Sequence, residues 1–378
     1  MPDVHYHDYL QLDTILNAQF PESNKHQLPA HDEMLFIVIH QAYELWFKQL
    51  HHEVDSVVNI FAKPSLNDNS PELQTVVHRL NRCVTILRVL VHQIDIMETM
   101  TPMDFLDFRD MLRPASGFQS WQFKELEAKL GLKFEYRHGK EYYTSQLKDE
   151  HIGIIKKAEH DKSLLELLNS WLERMPFFDE KENWGNFTSH DLITLPLGAT
   201  DPPVGGEGWE RNSGKGHHPF WSEYRYQYEN SLTEAEKSNL PFFVDLFLSD
   251  IQNPASSIQQ PASSSQQSLS PSANRAALFI LLYRGYPMLQ LPFQLLNSLL
   301  EIDEQLSSWR YRHMNMVHRM IGTRIGTGGS SGKDYLKAAA DKHYIFREIA
   351  QLNSFLIERR KLPVLPATVE KRLGFIAG

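Results

Sequence analysis

Two histidines stand where apolar residues are expected. From Leu295 through Leu299, Ile302, Leu306, Trp309, His313, Met316 and Met320 the spacings alternate four and three, which makes one apolar stripe along a helix with His313 inside it. A second stripe, Phe36, His40, Tyr43, Phe47, Leu50, Val54, Val57 and Phe61, has the same spacing and again holds one imidazole. Both nitrogens of a buried imidazole need partners, so each residue is either a hydrogen-bonded core histidine or a ligand of a metal or cofactor. Two such helices packed face to face would present His40 and His313 to opposite sides of something held between them. Arg109 shares a helix face with Phe105 and Leu112. Its guanidinium either snorkels to water or pairs with Asp104 or Asp110, or else it clamps a carboxylate with two parallel hydrogen bonds.

Other chemistries fit less well. The run Gly326-Thr327-Gly328-Gly329-Ser330-Ser331-Gly332-Lys333 looks like a phosphate cradle. A P-loop, however, needs glycine where Thr327 stands and a hydroxyl residue where Asp334 stands, and it follows a strand. What remains is either a loop that closes over a ligand or a glycine-rich helix terminator. His51, His52 and Glu53 flank the second stripe and read as solvated surface. No Glu-x-x-His pair recurs on two helices, so a carboxylate-bridged metal pair is not expected.

The elements that position these residues are helical. The His40 stripe runs from Asp32 to about Phe61, and a third helix covers Leu73 to Met100. Thr101, Pro102 and Asp104 then supply an N-cap, a first-turn proline and an acidic third residue for the Arg109 helix. Ser163 and Glu166 form a capping-box pattern, a short helix is expected from Thr233 to Leu248, and the pattern resumes at Arg275 to lead into the His313 stripe. One more helical segment is expected from Tyr335 to about Lys361. Residues 251–274 hold no charge and are rich in Ser, Gln, Pro and Ala, which reads as a flexible insertion. Residues 1–30, with Tyr6, Tyr9 and Leu10, form an arm that must either dock or be disordered, its tyrosines and leucines favouring docking on another subunit, and residues 31–378 are expected to form a single helical domain. The fold class expected is all-α.

Composition narrows the function. With 378 residues, 42% hydrophobic and 22% charged, the chain has the profile of a globular protein. A net charge of −9 argues against a nucleic-acid binder. A single cysteine, Cys83, rules out an internal disulfide framework and cysteine-rich metal sites. No run of about 18 apolar residues is present to span a membrane, and residues 1–5 lack the features of a signal peptide, so a cytoplasmic location is expected.

Four blocks carry a family resemblance: Tyr6 to Gln19, His31 to Gln49, Glu98 to Ser120, and Trp309 to Gly332, the last containing Trp-Arg-Tyr-Arg-His and Gly-Thr-Gly-Gly-Ser-Ser-Gly. In these the chain resembles the tryptophan 2,3-dioxygenases, with weaker similarity at 163–173 and 275–302 and none that can be aligned at about 176–274. The resemblance implies an all-α enzyme of the tryptophan/indoleamine dioxygenase type that opens the indole ring of L-tryptophan with O₂. The product would be N-formylkynurenine, in the first step of tryptophan degradation via kynurenine. It further implies one haem b per subunit, ferrous in the active form, and a homotetramer. Carried over to this chain, His313 would be the iron ligand with Trp309 packed beside it and Ser116 near the haem edge. His40 would be the catalytic histidine that meets the indole N–H, with Phe36 one turn earlier. Arg109 would hold the substrate carboxylate, Thr327 its charged groups, and Tyr6, Tyr9 and Leu10 would reach a neighbouring subunit's pocket. Phe105 stands where some relatives place a tyrosine, and His7 where a small residue is frequent. His318 lies about 140° round the helix from His313 and should point elsewhere.

Overall fold

The computed structural model describes residues 3–137, 144–174, 219–252, 269–324, 326 and 332–374, and among these the regular secondary structure is entirely helical. After three one-turn helices within residues 6–25 come α1 (Glu33–Phe61), α2 (Pro71–Met97), α3 (Pro102–Arg109), α4 (Trp121–Leu130), α5 (Asp149–His160) and α6 (Leu164–Glu173). They are followed by α7 (Pro219–Ser231), α8 (Leu240–Gln252), α9 (Pro271–Leu282), α10 (Pro287–Ile321) and α11 (Gly332–Lys342).

The starts of these helices follow from side chains that satisfy orphan backbone groups. Thr101 accepts a hydrogen bond from the Asp104 amide at 3.3 Å, while the Thr101 amide donates to the Asp104 carboxylate at 2.8 Å, so α3 opens with a capping box. Ser163 and Glu166 open α6 in the same way, with 2.7 Å from the Ser163 amide to the carboxylate. At 35 residues α10 is about 50 Å long, and it carries His313 in its second half.

The chain gathers into two compact units. One comprises Met1–Val54, Arg82–Asp161 and Glu304–Tyr344, and holds the first part of α1, most of α2, α3 to α5, the second half of α10, and α11. The other comprises Asp55–Asn81, Lys162–Asp303 and Ile345–Gly378. Its core is aromatic: Phe220, Tyr224, Phe243, Phe247, Phe279 and Phe355 are buried in mutual contact, with ring centroids such as Phe243–Phe247 at 5.0 Å. The hydroxyls in that core are satisfied by carbonyls, Tyr224 donating to Phe355 and Tyr283 to Pro363 at 2.6 Å.

Four expectations change. The tail beyond α11 is broken, because the buried Asp303 carboxylate accepts hydrogen bonds from the amides of Ile345 at 3.1 Å and Phe346 at 2.5 Å. Only short turns follow, from Arg347 to Lys361. The 233–248 helix is instead a 3₁₀ turn, Glu236–Asn239, leading into α8. Both ends of the charge-free segment belong to helices: Ile251 and Gln252 close α8, and Ser270 caps α9 by accepting from the Ala273 amide at 3.2 Å. Residues 253–268 lie outside the described residues. Finally, His51 and Glu53 are buried and not solvated, although His52 is exposed. Here α1 is covered on a second flank. His51 Nε2 lies 2.9 Å from the Gln122 carbonyl of α4, and Glu53 accepts hydrogen bonds from Arg82 at 2.8 Å and Gln49 at 2.7 Å.

Candidate active site

Within the first unit, α1, α3, α4, α10 and the 116–120 turn enclose one cavity. It brings together Phe36, His40, Arg109, Ser116, Trp309 and His313, with Met97, Met100, Met316 and Met320 supplying soft apolar wall. The two stripe histidines therefore do share a space.

On one side, His313 stacks on Trp309, the ring centroids 5.2 Å apart and the planes 14° from parallel. Its Nδ1 is buried and has no hydrogen-bond partner among the described residues. Burial, and then the neighbouring His40, push its pKa down to about 4, so the ring is neutral at physiological pH. Phe123 of α4 packs against Trp309 at 4.9 Å, which places α4 on the His313 side.

On the other side, Phe36 lies 4.1 Å from the His40 ring and packs against Phe105 at 5.8 Å and Phe108 at 5.6 Å. The His40 Nδ1 is 2.7 Å from the Phe36 carbonyl. Since a carbonyl only accepts, Nδ1 carries the proton and Nε2 is left as an acceptor. Burial lowers the His40 pKa, partly offset by that carbonyl, so this ring too is neutral. Next to Phe108 on α3, Arg109 is only 4% exposed, so it does not snorkel to water. The two carboxylates offered as its partners are engaged elsewhere, Asp104 by Thr101 and Asp110 by Arg113 at 3.1 Å.

The remaining sequence candidates divide. Ser116 lines the cavity, and its hydroxyl accepts from the Phe118 amide at 3.3 Å. Gly326 lines it as well, whereas Thr327 lies outside the described residues. Tyr6 and Tyr9 are 71% and 74% exposed, and neither they nor Leu10 line the cavity of their own chain. His318 is exposed, as the helix rotation requires.

Sequence reasoning missed a charged group at the same cavity. Glu127 of α4 accepts hydrogen bonds from Arg137 at 2.6 Å and from Arg310 at 2.6 Å, all three buried, and Lys124 and His343 line the cavity beside them. Burial would raise the Glu127 pKa, but Arg137 and Arg310 outweigh it and hold the carboxyl at about 2. A signal was present: Phe123, Glu127 and Leu130 are spaced four and three apart, the same pattern of one misplaced polar residue that marks His40 and His313.

Among the described residues no three His, Cys, Asp or Glu side chains are grouped to hold a metal ion. A neutral, deeply placed imidazole with an unsatisfied nitrogen, stacked indole and methionine walls fits haem.

The sequence model of the tryptophan 2,3-dioxygenase family matches residues 1–194 and 253–356. The chain belongs to the tryptophan 2,3-dioxygenase family. The curated tryptophan 2,3-dioxygenase of Bdellovibrio bacteriovorus is 40% identical over 376 residues, covering 99% of each chain. That of Alteromonas mediterranea is 41% identical over 377 residues, covering 98% of this chain and 97% of its own. That of Xenopus laevis is 40% identical over 375 residues, covering 97% and 86%. The family model thus covers the 176–274 stretch up to residue 194 and again from 253, and the full-length relatives align across the remainder. As in any tryptophan 2,3-dioxygenase, the activity implied is that of an oxidoreductase. Among the described residues no helix is long and apolar enough to cross a membrane.

Proposed function

We propose that this chain is a haem-dependent dioxygenase that opens the indole ring of L-tryptophan with O₂ to give N-formylkynurenine, the first step of tryptophan degradation via kynurenine. Full-length relatedness to tryptophan 2,3-dioxygenases supports the reaction. The observation that carries it at the residue level is the pairing of two neutral histidines at one cavity, His313 with an orphaned nitrogen and His40 with its acceptor nitrogen left over. Bound haem b, in its ferrous form, would supply the redox chemistry that activates O₂.

The chain's own residues would do the rest. His313 would hold the iron, with Trp309 fixing the ring by stacking and Ser116 near the haem edge. His40 Nε2, kept unprotonated by the Phe36 carbonyl on the opposite nitrogen, would accept the indole N–H. Phe36 and Phe105 would wall the indole and exclude water, and Arg109 would take the substrate carboxylate with two parallel hydrogen bonds. Thr327 would meet the amino acid's charged groups. Tyr6, Tyr9 and Leu10, which do not line the cavity of their own chain, would complete that of a neighbouring subunit. A homotetramer suits a surface on which Met34, Val38 and Leu45 of α1 and Val89 and Ile96 of α2 are exposed. We place the protein in the cytoplasm, where the buried Cys83 thiol stays reduced.

The test is His313→Ala. The wild-type chain should purify with, or take up, haem and show a Soret band, whereas the variant should lose most of it. A variant with full haem content would remove His313 from the role of iron ligand.

A further inference from the structure

We propose that Glu33 is a positioning residue for the N-terminal arm: its carboxylate fixes the root of the arm to α1, so that Tyr6, Tyr9 and Leu10 project in one direction toward a neighbouring subunit's cavity. This rests on the reading above that the arm serves that neighbour. The arm has a free tip and a held root. The one-turn helices Tyr6–Tyr9 and Leu12–Leu16 contain no buried residue. The third, Glu22–Lys25, has Pro21 at its N-cap, a residue with no side chain that can cap it. Glu33, in the first turn of α1, does so from across the loop. It is fully buried, and its carboxylate accepts hydrogen bonds from the Glu22 amide at 2.8 Å and the Ser23 amide at 2.9 Å. Burying a carboxylate is costly, so a loop that needed only packing would use an apolar residue; what the charge adds is a fixed geometry.

A second tie lies further along α1. The Gln41 amide donates to the Ala18 carbonyl at 2.9 Å and accepts from the Gln19 amide at 2.7 Å. Glu33 and Gln41 are separated by about 12 Å of helix rise, and two ties that far apart fix a direction where one would leave a pivot. The loop between them is closed on itself. Buried Ser23 accepts from the Ala30 amide at 3.1 Å through its hydroxyl and from the Leu28 amide at 2.9 Å through its carbonyl. The base of this anchor is firm. Helix Glu22–Lys25 packs against the Asp110–Leu112 turn that follows Arg109. Ala30 and Leu112 join Phe36 on the cluster of Ile39, Phe108 and Met320. Glu33 and Gln41 thus bracket Phe36 and His40 on one helix. The element that aims His40 into its own cavity also aims the arm away from it.

The experiment compares full-length, haem-loaded wild type, Glu33→Gln and the double variant Tyr6→Ala/Tyr9→Ala. An amide in place of the carboxylate turns its own N–H groups toward a backbone N–H. Glu33→Gln should therefore raise the KM for tryptophan about tenfold, the factor of a lost charge-assisted hydrogen bond, while the Soret band keeps its intensity. Mixed oligomers are then co-expressed from Glu33→Gln subunits and His313→Ala subunits, which have an intact arm but no iron ligand. Only the Glu33→Gln subunits can turn over, and those that receive an intact arm should do so at the wild-type KM. A Glu33→Gln chain with the wild-type KM, beside a tyrosine double variant with a raised one, would overturn the role of Glu33 and leave the arm reading standing. A raised KM that persists in every mixed oligomer, or that comes with loss of haem, would place the effect in the subunit's own site and overturn the proposal as well. A tyrosine double variant with the wild-type KM would overturn the arm reading and the proposal together.

Discussion

At the level of single residues, the proposed site would rest on neutral imidazole nitrogens and a buried cation. An imidazolium can neither ligate a metal nor accept an N–H, and burial keeps both His40 and His313 below their ordinary pKa. Arg109 lies where water is scarce, which strengthens a salt link from its guanidinium to an incoming carboxylate. Arg109→Ala should therefore raise the KM for tryptophan by about a hundredfold, the scale of a lost charged hydrogen-bond pair, with haem content unchanged. Steady-state kinetics alongside a haem assay check this, and an unchanged KM would remove the clamp. His40, His313 and Arg109 were legible because each is a polar intruder in an apolar stripe. Glu127 carried the same mark but sits on a helix of only ten residues, too short for periodicity to stand out.

At the level of elements, α4 and α10 are tied by the Arg137–Glu127–Arg310 group, in which Arg310 stands one turn before His313. Because the Glu127 carboxyl is held at about 2, below the ordinary glutamate value, its contribution to stability is complete above that ordinary value and is lost as pH falls through about 2. Glu127→Gln should lower unfolding free energy at neutral pH by about 3–5 kcal/mol, because it leaves two buried guanidinium groups facing a neutral amide. It should also flatten the acid limb of stability. Denaturant titrations at pH 7 and pH 3 measure both, and an unaltered acid limb would contradict the pairing. The long helices were readable to within a few residues, since their stripes repeat over many turns, and Thr101 and Ser163 signal the starts of the shorter α3 and α6. The broken tail was not, because Asp303 reaches it from 42 residues away. Nor was the burial of His51 and Glu53, which depends on what packs against a second flank of α1.

For the molecule as a whole, the two compact units differ in what their cores hold: a lined cavity in one, a filled aromatic core in the other. The second unit carries its own pH dependence. Burial raises the Glu348 carboxyl to about 7, against the Leu269 amide that donates to it. A carboxyl raised on folding stabilises fully below its ordinary value and progressively less as pH rises through about 7. Glu348→Gln should thus stabilise the protein by about 2 kcal/mol at pH 8 and be near neutral at pH 4, as read by thermal unfolding at the two pH values. A variant with the same shift at both would show that Glu348 ionises normally. The all-α class and the family were legible in the sequence, whereas the division into units was not, because each unit is assembled from three separated stretches of chain. The central claim is that the cavity couples haem to tryptophan oxidation. Its most direct test is to reduce the haem-loaded protein under nitrogen with L-tryptophan present, admit air, and follow the Soret band together with the absorbance of N-formylkynurenine. Product formed only when haem, tryptophan and O₂ are all present is the expected result. A reduced haem protein that binds O₂ yet yields no N-formylkynurenine would contradict it.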